Sequence, residues 1–205
     1  MTNTWLFTYG SLLSSQSRAM TARSDLTLTP ARLEGWQRSW SARYEDHGCT
    51  YVGARPVEGC TMTGAIVPVE IDAALRHRER KYTFRQIDLG RLSVPAASER
   101  PDFGPGGEDA KLFVLHIDRP RPPDSDHPIA QSYVDTCLEG CFEIGGEAMA
   151  QSFLLETDIW TRDWIDDRSF RTLKHPASPR FDAKTHTRID ALLEALQLLP
   201  LREGR

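Results

Sequence analysis

Two short features of this chain carry residues that could do chemistry. The first is Tyr9-Gly10-Ser11-Leu12, a turn that closes the apolar run Trp5-Leu6-Phe7. Gly10 has no Cβ, so a ligand can approach the main chain there, and positive φ is open to it. Backbone N–H groups in such a loop can cradle a carboxylate or phosphate without a cationic side chain. From the loop alone, an ordinary strand and turn is the simpler reading.

The second feature is Glu79. In a helix over 71–82, Ile71, Leu75 and Tyr82 share a stripe, and Glu79 follows Leu75 by one turn on it. Arg76, His77, Arg78, Arg80 and Lys81 surround it. A carboxylate facing inward must be paired or hydrogen-bonded. Burial raises its pKa and cations lower it, a balance that suits proton transfer near neutral pH. Periodicity alone favours a solvated place in an i,i+4 charge lattice.

The elements that must position these residues follow from patterning. Residues 5–9 read as a strand, and the polar stretch to Arg23 has some helical character. Alternation over 31–36 and 38–44, with apolar runs over 50–54 and 62–69, predicts short strands, with a turn at Val57-Glu58-Gly59-Cys60. Gly64 marks a bulge or a close backbone approach. Strands follow over 83–89 and 111–117, separated by a Pro-, Gly- and charge-rich loop over 96–109, expected to be mobile. Helices are expected over 129–143 and 146–156, split at Gly145-Gly146, and over 185–199, ended by Pro200. Strands first and helices from about residue 128 predict an α+β fold, a small, mostly antiparallel sheet or barrel with flanking helices in a single domain over 1–205.

Bulk properties narrow the class. A chain of 205 residues buries about 70% of its unfolded surface, enough for a core without staples. Net charge −4 gives no pull toward nucleic acid, and no apolar run reaches membrane-spanning length. The first residues lack a signal-peptide pattern, so a cytoplasmic location is expected. Cys49, Cys60, Cys137 and Cys141 are too scattered for a disulfide framework and read as small, mostly buried thiols rather than metal ligands. Trp36 and Trp40 read as packing, and Asp166-Asp167-Arg168 as an ion pair at a helix end. His116, His127 and His186 lack companions at metal spacing, and Ser11 has no triad signature.

The turn Tyr9-Gly10-Ser11-Leu12, joined to the Glu of Arg78-Glu79-Arg80-Lys81-Tyr82, resembles the gamma-glutamylcyclotransferase-like superfamily. Gln131-Ser132-Tyr133-Val134-Asp135-Thr136-Cys137-Leu138-Glu139-Gly140 and Trp164-Ile165-Asp166-Asp167-Arg168 are similar to helical segments of bacterial members, so the likeness spans about residues 5–170. Between Trp36 and Gly59 the sequence departs from any signature of the family. The resemblance implies a small β-barrel with flanking helices and an enzyme that cyclises a γ-glutamyl group to 5-oxoproline. The substrate's own α-amine attacks, so neither an enzyme nucleophile nor a metal or other cofactor is implied. Glu79 would carry the proton, the backbone of Tyr9, Gly10, Ser11 and Leu12 would hold the α-carboxylate, and Tyr82 would be a hydrogen-bonding neighbour. The implied partner is a small γ-glutamyl compound, whether glutathione, a γ-glutamyl amino acid, a γ-glutamylamine or a modified intermediate. A non-catalytic γ-glutamyl-binding module of the same fold is the alternative. Oligomeric state is not set by the sequence.

Overall fold

The computed structural model describes residues 3–20, 26–96, 98, 101, 103 and 109–203. Strand β1 (Thr4–Thr8) carries the N-terminal apolar run into the core, and a short helix α1 (Ser15–Ala19) follows the Tyr9–Leu12 turn. Next come two long strands, β2 (Thr29–Tyr44) and β3 (Cys49–Pro68), joined at Glu45–Gly48, where Gly48 takes φ 55°. Helix α2 (Ala73–Arg78) leads to β4 (Thr83–Ile87), β5 (Leu92–Ser93) and β6 (Lys111–His116). The C-terminal part holds β7 (Ile129–Ala130), α3 (Gln131–Leu155), β8 (Thr157–Asp158), β9 (Trp164–Ile165), α4 (Ala183–Ala195) and α5 (Leu199–Glu203).

The main sheet runs β4-β6-β1-β3-β2-β5. The β1–β3, β2–β3, β2–β5 and β4–β6 ladders are antiparallel, and β1–β6 is parallel. Strand β3 pairs β1 through its C-terminal half and touches β6 again at Ala54↔His116, which curls the sheet on itself. The α+β expectation holds, with more parallel pairing than the short strands suggested. Helix α3 packs on this sheet; Tyr133, Val134, Cys137, Leu138 and Cys141 are buried with Leu13, Trp40 and Val52 in the core.

Several boundaries differ from the sequence reading. The two strands expected over 31–36 and 38–44 are one strand: Gln37 stays in register opposite Arg55, and Gly35, at φ 76°, absorbs a bulge just before it. Opposite it the register jumps from Glu34↔Thr61 to Trp36↔Pro56, so the expected turn at Val57–Cys60 is an excursion within one strand. Gly64 is a close approach: a Cβ there would lie 2.4 Å from the Thr8 carbonyl oxygen. The helix expected over 71–82 spans only Ala73–Arg78, started by Asp72, whose carboxylate accepts from Leu75 N at 2.8 Å. Ile129 and Ala130 are not helical but pair with Thr50 and with Trp164 and Ile165. Helix α3 is interrupted at Gly146 (φ 66°, ψ −159°), as the Gly-Gly pair predicts. Pro200 does not end the last helix; α4 stops before Gln197 (φ 58°), and Pro200 sits in the first turn of α5, where its missing N–H costs nothing. Residues 21–25 and most of the 96–109 loop lie outside the described residues.

Candidate active site

Tyr9, Gly10, Ser11, Leu12, Glu79 and Tyr82 all line one cavity of about 430 Å³. Residues seventy positions apart meet because β1 and the strands flanking α2 belong to the same curled sheet.

The loop leaves β1 at Tyr9 and tightens into a 3-10 turn over Ser11–Leu13. Leu13 N donates to Gly10 O at 2.9 Å, and Ser14 N to Ser11 O at 3.2 Å. Among the described residues the N–H groups of Gly10, Ser11 and Leu12 meet no protein acceptor. Three consecutive donors thus remain for water or a ligand. Gly10 has φ −136°, so positive φ is not what it supplies. Space is: a Cβ would stand 2.8 Å from the Tyr133 hydroxyl and 3.1 Å from Val52 Cγ2. Helix α3 also bears directly on the loop, since a Cβ on Gly140 would lie 2.4 Å from both Leu13 C and Ser14 N.

Glu79 caps the C-terminal end of α2 and is only 8% exposed. Its Oε1 accepts from Arg78 Nε at 2.9 Å. Burial pushes the carboxyl above the usual glutamate range, while the Arg78 charge and hydrogen bond pull it back. The solvated lattice position favoured by periodicity is therefore not what Glu79 occupies.

Tyr9 donates its hydroxyl to Leu115 O at 2.5 Å, and Tyr82 donates to Val52 O at 2.8 Å. The proton of Tyr82 is thus committed to backbone, and the ring serves as wall.

The sequence reading missed much of the remaining lining. Tyr44, Tyr51 and Tyr133 join Tyr9 and Tyr82, so all five tyrosines of the chain face this cavity. Tyr51 and Tyr133 stack at 4.5 Å, and His175 stands edge-on to both at 4.9 Å. Burial, with Arg78 and His47 adding, lowers His175 to about 3, so its ring is neutral at physiological pH. Burial also drives Tyr9, Tyr82 and Tyr133 well above the ordinary phenol range. Tyr133 stood in the segment similar to family members, but only the fold reveals that α3 delivers it beneath Gly10.

The other candidates are structural. Asp167, fully buried, accepts from Ser132 N (2.8 Å), Ser132 Oγ (2.7 Å) and Lys174 N (2.8 Å), tying the start of α3 to the segment carrying His175. Arg168 forks onto Asp135 through Nε and Nη2, both at 2.7 Å, and reaches Asp190 at 2.9 Å. Trp36 and Trp40 are buried, as are Cys49, Cys137 and Cys141, while Cys60 is partly exposed. His116, His127 and His186 are not among the residues lining the cavity.

A solved structure of a gamma-glutamyl cyclotransferase superposes on 91% of this chain and 98% of its own, with TM-score 0.57 and 10% identity. The chain has the gamma-glutamyl cyclotransferase-like fold. An uncharacterized protein, loc79017, from Homo sapiens is similar over 90% of this chain and 96% of its own, at TM-score 0.55 and 12% identity. YkqA from Bacillus subtilis is similar over 74% of this chain and 52% of its own, at TM-score 0.51 and 16% identity. No protein-family model and no curated protein sequence matches the chain. No helix among the described residues is long and apolar enough to cross a membrane.

Proposed function

We propose that this chain is a gamma-glutamylcyclotransferase-type enzyme that cyclises a γ-glutamyl group to 5-oxoproline and releases an amine, amino acid or peptide. One observation carries the reading: a buried carboxyl, Glu79, shares a cavity with a backbone loop that offers three unclaimed N–H groups. The loop donors suit the substrate's α-carboxylate. With that end held, the chain folds so that its α-nitrogen meets its γ-carbonyl carbon. Orientation of this kind contributes several kcal/mol, up to ~7–11 in ideal cases.

The ring C–N bond forms as the amide C–N bond to the leaving group breaks. Glu79 takes a proton from the attacking nitrogen and returns it to the departing one. Burial keeps the Tyr9, Tyr82 and Tyr133 hydroxyls protonated and His175 neutral at physiological pH, so these groups do not compete with Glu79 for the proton. Tyrosine rings wall the site and keep bulk water from competing with the internal nucleophile.

The test is a panel of γ-glutamyl amides, amino acids and peptides scored for 5-oxoproline. Glu79→Gln is expected to lower turnover by about 10²-fold or more while the fold persists. Undiminished turnover by that variant sinks the mechanism. Saturable binding without 5-oxoproline from any compound identifies the non-catalytic module instead.

A further inference from the structure

The carbonyl oxygens of the loop are all claimed, and two inward arginines claim three of them. Arg38 Nη1 donates to Tyr9 O at 3.4 Å, and Arg18 Nη1 donates to Leu12 O at 2.9 Å and Leu13 O at 2.8 Å. Gly10 O and Ser11 O accept from Leu13 N and Ser14 N. In a trans peptide the C=O and N–H lie on opposite edges. Drawing Tyr9 O toward Arg38 therefore turns Gly10 N–H the other way. Holding Leu12 O and Leu13 O at Arg18 aims Leu13 N and Ser14 N at the carbonyls of Gly10 and Ser11. Those two peptides then present Ser11 N–H and Leu12 N–H on the opposite edge. Each of the three unclaimed donors thus traces back to a guanidinium.

Neither arginine lines the cavity, and both are buried, Arg38 at 0% exposure and Arg18 at 6%. Arg38 spends its remaining hydrogen bonds on uncharged oxygens: Thr157 Oγ1 at 2.6 Å, Thr63 O at 2.8 Å and Phe153 O at 2.9 Å. Its guanidinium also lies 3.9 Å from the centre of the Phe153 ring. A cation so enclosed is weakly screened by solvent, and its field reaches past the peptide it holds.

We propose that Arg38 and Arg18 are positioning residues for anion binding: they lock the Tyr9–Leu12 peptides with donors toward the ligand and set positive charge behind them. This rests on reading the loop as the α-carboxylate site and names what makes it selective for a charged group.

The test compares binding of 5-oxoproline with that of 5-oxoprolinamide, which lacks the charge, by calorimetry on the full chain. Wild-type protein is expected to prefer the acid. Arg38→Met is expected to cut the acid-over-amide preference by about tenfold or more, leaving amide affinity within a few-fold, and Arg38→Lys to restore part of it. Arg18→Met should act in the same direction, and it decides alone if Arg38→Met does not fold. A wild-type protein without the preference, or folded variants that keep it or weaken both ligands equally, overturns the inference. A wild-type protein that prefers the acid yet yields no 5-oxoproline from any γ-glutamyl compound overturns the cyclisation and leaves the anion grip standing.

Discussion

The Tyr133 hydroxyl stands 2.8 Å from the point a Cβ on Gly10 would occupy. Tyr133 cannot retreat easily, being stacked on Tyr51 at 4.5 Å and set edge-on to Trp40 at 5.8 Å. Gly10→Ala is expected to cost about 1–3 kcal/mol of stability through overpacking, and to lower kcat/KM by displacing the loop. Removing the oxygen with Tyr133→Phe in the same chain should return part of both losses. The two changes should couple by about 0.5–3 kcal/mol in a double-mutant cycle of denaturant unfolding. Additive effects would show that the contact does not restrain the loop.

The Arg78–Glu79 pair sets an acidic limb. Glu79 must start ionised to accept a proton, and burial holds its pKa above the ordinary value of 4.5. Activity should therefore fall with an apparent pKa above that value as pH drops. Arg78 opposes the upward shift, so Arg78→Met should move the limb to higher pH. A limb that stays put or moves down in pH–rate profiles of that variant argues that another group titrates.

The same carboxyl bears on stability. A folded-state pKa above the unfolded one means the folded protein binds the proton more tightly. Its contribution is full below the unfolded pKa and is lost as pH rises through the folded pKa. Glu79→Gln has no such loss. Its melting temperature relative to wild type should climb as pH rises from the ordinary carboxylate range through the raised folded-state pKa, and a flat difference would contradict the burial argument.

Asp167 joins the site to its frame. Asp167→Ala removes three hydrogen bonds, to Ser132 N, Ser132 Oγ and Lys174 N, and leaves two backbone donors unmet, that of Ser132 buried and that of Lys174 half-buried. A loss of about 2–4 kcal/mol is expected in urea unfolding. KM should rise as well, because Lys174 precedes His175, Pro176 and Ala177 in the cavity wall. An unchanged KM at reduced stability would confine Asp167 to scaffolding.

What could be read from sequence was local. The Tyr9–Leu12 turn shows as a hydrophobic strand ending at a glycine and Glu79 as a carboxylate on the Leu75 stripe, but pattern alone favours an ordinary turn and a solvated side chain, and only the resemblance of the pair to a family motif joins them. Gly59 misled, since a glycine that breaks an isolated strand can be absorbed as a bulge when a long partner strand lies alongside. Tyr51, Tyr133 and His175 reach the cavity from three separate elements, and local pattern carries no record of that convergence. Arg38 did leave a trace. It falls between Trp36 and Trp40 on one face of β2, and a strand that buries both tryptophans must bury the arginine between them.

The gathering of every tyrosine at one cavity has a practical corollary. Selective isotopic labelling of tyrosine would place each reporter on the candidate site and none elsewhere in the chain. Chemical-shift changes in those five ring systems would then read out ligand occupancy directly, without a background of spectator resonances. They would do so even for compounds that bind but are never turned over.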